Sequence, residues 1–213
     1  MRVLDLFAGT GSATQPFRDR GHHVVEVEMD PAFAPDVCAD ISNLTASDLP
    51  GPWDFVWASP PCTSFSVASI GTHWSKRCGV FYPKTLAARA SVALVEHTLR
   101  LIEGLRPLFW LVENPRGILR KLPVMSGLKR VTVTYCQYGD SRMKPTDLWG
   151  EWPSTILFRA CANGAPCHES APRGSKAGTQ ALETPTERAM VPYQLGLELC
   201  EAIEKATFFA EAT

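Results

Sequence analysis

The segment 54–66 constrains the fold of this chain more than any other stretch. Its apolar run Phe55–Ala58 is typical of a strand buried on both faces, and Pro60 and Pro61 follow almost directly. Because proline cannot donate to a strand ladder, the chain must leave the sheet there, and Cys62 comes next. Open α/β sheets bind ligands at this carboxyl edge, although a buried free cysteine in a loop explains the same pattern.

A second predicted strand ends in two glycines. The apolar run Val3–Phe7 leads into Ala8-Gly9-Thr10-Gly11, and residues 13–20 then suit a helix that stops at Gly21. Glycines spaced two apart let the backbone turn tightly and approach a ligand, which the amino end of the helix then faces. An ordinary turn has the same Gly-x-Gly pattern.

Acidic residues stand at the ends of three further predicted strands. They are Glu28, Asp40 and Glu113, at the ends of the runs 23–28, 37–40 and 108–112. An acid about 20 residues after such glycines is placed to bind ribose hydroxyls. Each acid taken singly is compatible with an exposed surface charge. Together with Cys62 and the glycines they make five features at one sheet edge, which favours a ligand site.

The remaining apolar runs complete an alternation of strands and helices. We predict strands at 131–135 and at either 146–149 or 155–158, and helices at 86–105 and 193–206. The apolar face of the first helix is predicted to hold Leu86, Ala90, Leu94, His97, Leu101 and Leu105, with His97 as a core histidine. This alternation predicts the α/β class, with a mostly parallel, doubly wound sheet of about seven strands.

Charge is unevenly distributed, although the 213 residues carry a net charge of only −1. Segment 63–92 has four basic residues and no acid, and segment 115–146 has seven basic residues against Asp140 alone. One face therefore suits a polyanion such as nucleic acid, unless these are ordinary solvated side chains. The polar stretch 63–84 is long for a connection and predicts a functional loop.

The cysteines and the apolar runs indicate the compartment. Seven scattered cysteines argue against a disulfide framework and favour a reducing cytoplasm. No apolar run approaches the roughly 18 residues of a membrane span, and a strand-like start leaves no room for a signal peptide. In the Gly- and Pro-rich region 161–186, Cys161, Cys167 and His168 could bind zinc, with His73 or Cys78 as a conceivable fourth ligand. The sequence alone assigns no metal ligand.

Several motifs follow one another in a recognisable order. Segment 5–11 reads Asp-Leu-Phe-Ala-Gly-Thr-Gly, 28–30 reads Glu-Met-Asp, 40–41 reads Asp-Ile, 59–66 reads Ser-Pro-Pro-Cys-Thr-Ser-Phe-Ser, and 111–115 reads Leu-Val-Glu-Asn-Pro. Over residues 3–150 this series resembles the cytosine-5 DNA methyltransferases, which use S-adenosylmethionine. The resemblance implies a Rossmann-like S-adenosylmethionine methyltransferase fold. Amino-group methyltransferases would carry an aromatic residue where Cys62 stands.

The chain also departs from the family pattern. Only about 40 residues separate Trp149 from the closing helix, where the family has a large target-recognition region. We therefore expect residues 1–213 to form a single catalytic domain with a reduced recognition-like insert at 150–190, as in compact bacteriophage forms. Segment 138–144 lacks the usual Gln-x-Arg, which leaves Arg142 and Lys144 as alternatives for the catalytic arginine. Segment 189–192 matches the closing motif only in part.

The resemblance implies a role for each site residue. Cys62 would add to carbon 6 of a cytosine flipped out of DNA, with 63–84 as the closing loop. Glu113 would hold the ring nitrogen and the exocyclic amine. The catalytic set is Cys62, Glu113, Asn114, Pro115, Arg142 and Lys144, and the cofactor set is Phe7, Ala8, Gly9, Gly11, Glu28, Met29, Asp40, Ile41 and Pro60. Alternatives that stay open are an RNA or nucleotide substrate and a non-catalytic DNA-binding protein; the oligomeric state is not predicted.

Overall fold

The computed structural model describes residues 1–169 and 184–211. The strands are β1 (Arg2–Leu6), β2 (His23–Glu28), β3 (Val37–Cys38), β4 (Phe55–Ala58), β5 (Trp74–Arg77), β6 (Val80–Pro83), β7 (Phe109–Pro115), β8 (Arg130–Thr134) and β9 (Pro145–Glu151). The α-helices are α1 (Gln15–Asp19), α2 (Ile70–His73), α3 (Leu86–Leu105), α4 (Pro185–Ala189) and α5 (Tyr193–Glu211).

Seven strands form one sheet in the order β3-β2-β1-β4-β7-β9-β8. Neighbours from β3 to β7 are parallel, whereas β9 runs antiparallel to both β7 and β8. A parallel sheet is stable only when both of its faces are covered. The predicted α/β class with a mostly parallel sheet is confirmed.

The central strands separate two hydrophobic cores, one on each face of the sheet. The core on the α3 side includes Leu4, Leu6, Val56, Ala58, Val95, Ile102 and Val112. The core on the α5 side includes Val3, Phe17, Phe55, Trp57, Leu111, Leu195, Leu199 and Ile203. Because alternate strand residues face opposite sides, β1 and β4 contribute to both cores, which explains why Val3–Leu6 and Phe55–Ala58 are apolar apart from Asp5.

The apolar face of α3 differs from the predicted one. Leu86 is 82% exposed, and the buried positions are Ala88, Val95, Thr98, Leu101 and Ile102. Of the predicted face, Leu101 is buried, Leu94 and Leu105 are half-buried, and Leu86 and Ala90 are exposed. His97 is half-buried, and its Nε2 lies 3.0 Å from the backbone oxygen of Leu44.

Other predicted elements need correction. Within residues 1–169 and 184–211 the last strand is β9, residues 155–158 form no strand, and β7 extends to Pro115. The predicted loop 63–84 contains α2 and the β5–β6 hairpin, because Trp74 is buried and anchors the segment to the core. The helix predicted over 13–20 spans only Gln15–Asp19, and the closing helix reaches Glu211. The insert predicted at 150–190 lies partly outside the described residues.

None of the helices within 1–169 and 184–211 combines the length and the hydropathy that a bilayer span requires.

Candidate active site

A cavity of about 280 Å³ opens at the carboxyl edge of the sheet. The ends of β1, β4 and β7 supply most of its lining, because these parallel strands are neighbours and end at the same edge. Cys62 and Glu113 both line this cavity, although they follow different strands. The lining also includes the predicted site residues Phe7, Ala8, Gly9, Pro60, Pro115 and Lys144.

Hydrogen bonds fix the loop that carries Cys62. Its carbonyl oxygen accepts from the backbone amides of Phe65, at 2.9 Å, and Ser66, at 3.0 Å. The ring of Phe65 is fully buried and stacks on Trp74, whose indole nitrogen donates to the oxygen of Ser64 at 2.7 Å. The half-buried Cys62 side chain is therefore held by a loop that the core keeps in place.

A hydrogen bond connects the tips of β4 and β7. The side-chain amide of Asn114, buried at 1% exposure, donates to the oxygen of Pro60 at 2.9 Å. Gly117 also packs closely against the loop of Cys62. A side chain would not fit there, because a Cβ atom on Gly117 would lie only 2.1 Å from the backbone oxygen of Phe65. These contacts fix the position of Cys62 relative to Glu113, and Asn114 acts through its hold on the loop.

The carboxyl group of Glu113 is buried beneath the cavity. Burial raises its pKa, while Lys144 and the hydroxyls of Tyr135 and Ser59 act in the opposite direction. The Tyr135 hydroxyl donates to Oε1 of Glu113 at 3.2 Å. Tyr135 is not among the predicted site residues, because its approach to Glu113 depends on the direction of β8, which β9 separates from β7.

The pKa of the Cys62 thiol is also raised, first by burial and then by the carboxylate of Glu113. Lys144 and Arg188 lower it. The thiol is therefore mainly protonated at neutral pH in this arrangement. Its ionisation depends on the balance between one acidic and two basic neighbours.

Lys144 lies in the cavity, whereas Arg142 faces another surface. The Lys144 ammonium donates to the oxygen of Arg188 at 2.8 Å and stands 4.4 Å from the ring centroid of Tyr135. Arg142 forms an ion pair with Asp140 and donates to a backbone oxygen of α4 at 3.3 Å. Of the two alternatives in segment 138–144, only Lys144 is placed to act on a group in this cavity.

A second cavity, of about 300 Å³, lies beside the first. Both share the lining residues Phe7, Gly9, Ser59, Pro61 and Ala189, so the two are adjoining parts of one site. The predicted residues Glu28, Met29, Asp40 and Ile41 line the second cavity. Met29 is 66% exposed and Phe33 is 36% exposed, so apolar surface is open for a planar ring there.

Backbone amides hold the Glu28 carboxylate at the second cavity. Oε2 accepts from the amide of Gly9 at 3.1 Å, and Oε1 accepts from those of Met29 at 2.8 Å and Asp30 at 3.2 Å. Asp40 caps the turn that follows it, and the hydrogen bonds from Ser42 lower its pKa. Both carboxylates are therefore oriented acceptors for hydroxyl or amine donors.

Gly11 lies outside the lining of both cavities and shapes the turn instead. Its φ is +67°, and a Cβ atom there would stand 2.2 Å from Oε1 of Glu26. Phe7 precedes the turn with φ of +62°, an uncommon value for a bulky residue.

Asp5 is a further carboxyl group that lines the first cavity. Burial raises the pKa of Asp5 to about 7, and the Thr14 hydroxyl donates a hydrogen bond to it at 2.6 Å.

Residues 188–191 complete the wall of the first cavity. The amide of Val191 donates to the hydroxyl of Ser12 at 3.0 Å, which joins this segment to the glycine turn. Arg188, Ala189 and Val191 line the cavity. The sequence analysis treated this segment only as an incomplete motif, because its contacts span nearly the full length of the chain.

The two basic stretches meet beside the β5–β6 hairpin. Lys76 and Lys121 contact the same ring, with their ammonium nitrogens 5.5 Å and 5.4 Å from the ring centroid of Phe81. The side chains of Arg77 and Arg116 are exposed. We call the exposed Lys76, Arg77, Arg116 and Lys121 the basic surface, which is suited to a polyanion.

Comparison with known proteins connects this site with one family. A family model described as "C-5 cytosine-specific DNA methylase" matches residues 1–123, more than half of the chain. The probable DNA (cytosine-5)-methyltransferase of Frog virus 3 (isolate Goorha) is 31% identical over 173 residues, which cover 78% of each protein.

Solved structures agree on the fold. A candidate DNA modification methyltransferase encoded within an E. coli prophage matches with a TM-score of 0.51 at 22% identity, over 70% of this chain. The Entamoeba histolytica methyltransferase EhMeth matches with a TM-score of 0.53 at 11% identity, over 76% of this chain. The matches span only 46% and 57% of those two proteins. At these identities the likeness shows the Rossmann-like methyltransferase fold alone.

Proposed function

Because the chain belongs to the family of C-5 cytosine-specific DNA methylases, we propose that it transfers a methyl group from S-adenosylmethionine to carbon 5 of cytosine in DNA. The reaction proceeds through a covalent adduct with Cys62 on a cytosine flipped out of the duplex. The observation that carries this proposal is the shared cavity, in which Cys62 and Glu113 face the same space next to the glycine turn.

The residues at the second cavity fit S-adenosylmethionine. The Glu28 carboxylate accepts hydrogen bonds from three backbone amides and keeps acceptor capacity on Oε2 for a ribose hydroxyl. Met29, Phe7 and Ile41 line this cavity and would contact adenine, and Asp40 would accept a hydrogen bond from the adenine amine. Gly9, Ala8 and Pro60 lead from there towards Cys62. The bound cofactor supplies an electrophilic methyl group on a sulfonium centre.

Addition of the Cys62 thiolate to carbon 6 of cytosine starts the reaction. As the carbon–sulfur bond forms, the electron pair of the ring moves to nitrogen 3, which takes the proton of Glu113. The raised pKa of Glu113 favours the protonated form that this transfer requires. Lys144 lowers the pKa of Cys62 and so favours the ionised sulfur. Its effect on Glu113 is in the same direction, and burial of that carboxyl group outweighs it.

The adduct makes carbon 5 an enamine-like nucleophile that can take the methyl group. Solvent water then takes the carbon-5 proton, the Cys62 thiolate leaves carbon 6, and nitrogen 3 returns its proton to Glu113, which restores the aromatic ring. Asn114 and Pro115 act as positioning residues, because the Asn114 amide holds the loop of Pro60. A misplacement of about 1 Å can reduce the rate roughly 100-fold.

Nucleoside mass spectrometry tests the proposed function. DNA and RNA are isolated from cells that express either this chain or the Cys62→Ala variant. We expect 5-methylcytosine in the DNA of cells that express the unchanged chain and none in the DNA of cells that express Cys62→Ala. Methylation confined to RNA would identify RNA as the substrate. Absence of 5-methylcytosine from both DNA and RNA, with folded protein present, would overturn the proposal.

The contribution of Glu28 to cofactor binding is tested by calorimetry. Glu28→Ala removes the acceptor for the ribose hydroxyls and the group that holds the Gly9 amide, so we expect S-adenosylmethionine affinity to fall roughly 10- to 100-fold. Cys62→Ala serves as the matched control, and its affinity should equal that of the unchanged chain. Equal affinities for all three proteins would remove Glu28 from the cofactor site.

We expect the basic surface to contact phosphates. Each phosphate contact contributes about −0.9 to the slope of log affinity against log salt concentration on duplex DNA. The double change Lys76→Gln and Lys121→Gln should therefore flatten the slope by about 2 when DNA binding is measured by anisotropy. Lys205→Gln, on the exposed side of α5, provides the control. An unchanged slope in the double variant would place the DNA elsewhere.

A further inference from the structure

A cluster of metal-binding side chains lies outside the proposed active site. Cys136, Cys161, Cys167 and His168 place three sulfur atoms and one imidazole nitrogen within 4.8 Å of one another. Cys136 follows β8, and the other three belong to the segment after β9. The sequence analysis considered His73 and Cys78 as fourth ligands, but His73 contacts Thr85 at 2.7 Å, and Cys78 is exposed at the β5–β6 turn.

Three of the distances within this cluster match the edges of a tetrahedron around zinc. Bonds of about 2.3 Å to sulfur and 2.0–2.1 Å to nitrogen give sulfur–sulfur edges of about 3.8 Å and sulfur–nitrogen edges of about 3.6 Å. Sγ of Cys167 lies 3.7 Å from Sγ of Cys136. Nδ1 of His168 lies 3.6 Å from Sγ of Cys161 and 3.6 Å from Sγ of Cys167.

A fourth distance excludes a disulfide, and a neighbouring side chain suits a thiolate ligand. Sγ of Cys136 and Sγ of Cys161 are 3.2 Å apart, which is shorter than the tetrahedral edge but well beyond the roughly 2.05 Å of a disulfide bond. The side-chain amide of Gln137 donates to Sγ of Cys167 at 3.2 Å, a contact that would stabilise a thiolate ligand. Cysteine and histidine in the ratio of three to one form a common structural zinc site.

We propose that Cys136, Cys161, Cys167 and Nδ1 of His168 bind one structural Zn²⁺ ion, which fastens the segment after β9 to the end of β8. Binding releases the thiol protons to solvent and forms three zinc–sulfur bonds and one zinc–nitrogen bond. This proposal does not depend on the proposed methyl transfer.

The position of the zinc site suggests what the ion does. The amide of Cys161 donates to the hydroxyl of Thr134 at 2.8 Å, and the amide of Glu169 donates to the oxygen of Ser141 at 2.9 Å. The segment that holds Cys161, Cys167 and His168 therefore lies against the connection between β8 and β9. That connection contains Tyr135 and Lys144, which reach Glu113 and the first cavity. In a chain with so short an insert, a metal replaces the hydrophobic core that the segment is too small to form.

Elemental analysis of the purified full chain tests the proposal. The protein is expressed with added zinc, dialysed against metal-free buffer, and measured by plasma mass spectrometry beside Cys161→Ser and the control Cys78→Ser. We expect about one zinc per chain in the unchanged protein and in Cys78→Ser, and less than about a tenth of that in Cys161→Ser. Zinc retained in Cys161→Ser, or absent from the unchanged protein, would overturn the proposal.

X-ray absorption at the zinc edge of the unchanged protein keeps the test independent of how the variants fold. We expect three sulfur neighbours at about 2.3 Å and one nitrogen neighbour at 2.0–2.1 Å. A shell of oxygen and nitrogen only would contradict the assignment. Peptide mapping without reductant provides a further test, since a disulfide between Cys136 and Cys161 in the freshly purified protein would also overturn it.

Discussion

Cys62→Ala should lower the rate of cytosine methylation by more than roughly 10⁴-fold while leaving the fold and S-adenosylmethionine affinity intact. Without a thiolate to add at carbon 6, carbon 5 stays a poor nucleophile, and correct positioning of the methyl group cannot replace that step. The measurement is the initial rate of methyl transfer to a cytosine-containing duplex, with protein stability followed by thermal unfolding.

Two comparisons make the Cys62 prediction specific. Cys62→Ser retains the shape of the side chain, but its hydroxyl is far harder to ionise, so we expect it to be nearly as inactive as Cys62→Ala. Cys38→Ser removes an exposed cysteine outside both cavities and should retain full activity. Activity within about 10-fold of the unchanged chain in Cys62→Ala would exclude covalent catalysis by this residue.

Glu113→Gln should lower kcat by roughly 10² to 10⁴-fold with little change in KM for DNA. The amide of glutamine can still hydrogen-bond to the base edge, but it has no proton to transfer to ring nitrogen 3. The ionisation of Cys62 should change at the same time. The Glu113 carboxylate raises the pKa of Cys62, so its removal shifts the pH profile of Cys62 alkylation to lower pH.

The neighbours of Cys62 supply the matched controls for the alkylation profile. Lys144→Met should shift the profile to higher pH, because the ammonium group lowers the pKa of the thiol. Tyr135→Phe removes the hydrogen bond to Glu113 without changing its charge, so it should retain a profile close to that of the unchanged chain. Shifts of equal sign in Glu113→Gln and Lys144→Met would contradict the electrostatic account of the site.

The sequence predicted the residues at the carboxyl ends of the parallel strands and the edge of the sheet where they meet. The strands β1, β2, β4 and β7 are rich in apolar residues, and the residues after them meet at one edge because these strands are parallel. This is why the sequence alone predicts Gly9, Glu28, Cys62 and Glu113 at one sheet edge. Their placement around two adjoining cavities follows from the sheet order.

The features that sequence reasoning missed depend on contacts between distant segments. Tyr135 reaches Glu113 because β9 is inserted antiparallel between β7 and β8, an arrangement that no local pattern indicates. Cys136 has no neighbouring cysteine at a ligand spacing, so only the folded chain brings it to Cys161. The face of α3 was misassigned because the periodic series began at Leu86, which is exposed at the first position of the helix.

The account depends most directly on a covalent bond between Cys62 and carbon 6 of the target cytosine. A duplex that carries 5-fluorocytosine tests this bond, because fluorine cannot leave carbon 5 as a cation and the final elimination is blocked. With S-adenosylmethionine present, we expect a denaturation-resistant protein–DNA adduct whose mass maps to the Cys62 peptide and which Cys62→Ala does not form. Methylation of ordinary cytosine without such an adduct, or an adduct at another residue, would contradict the account.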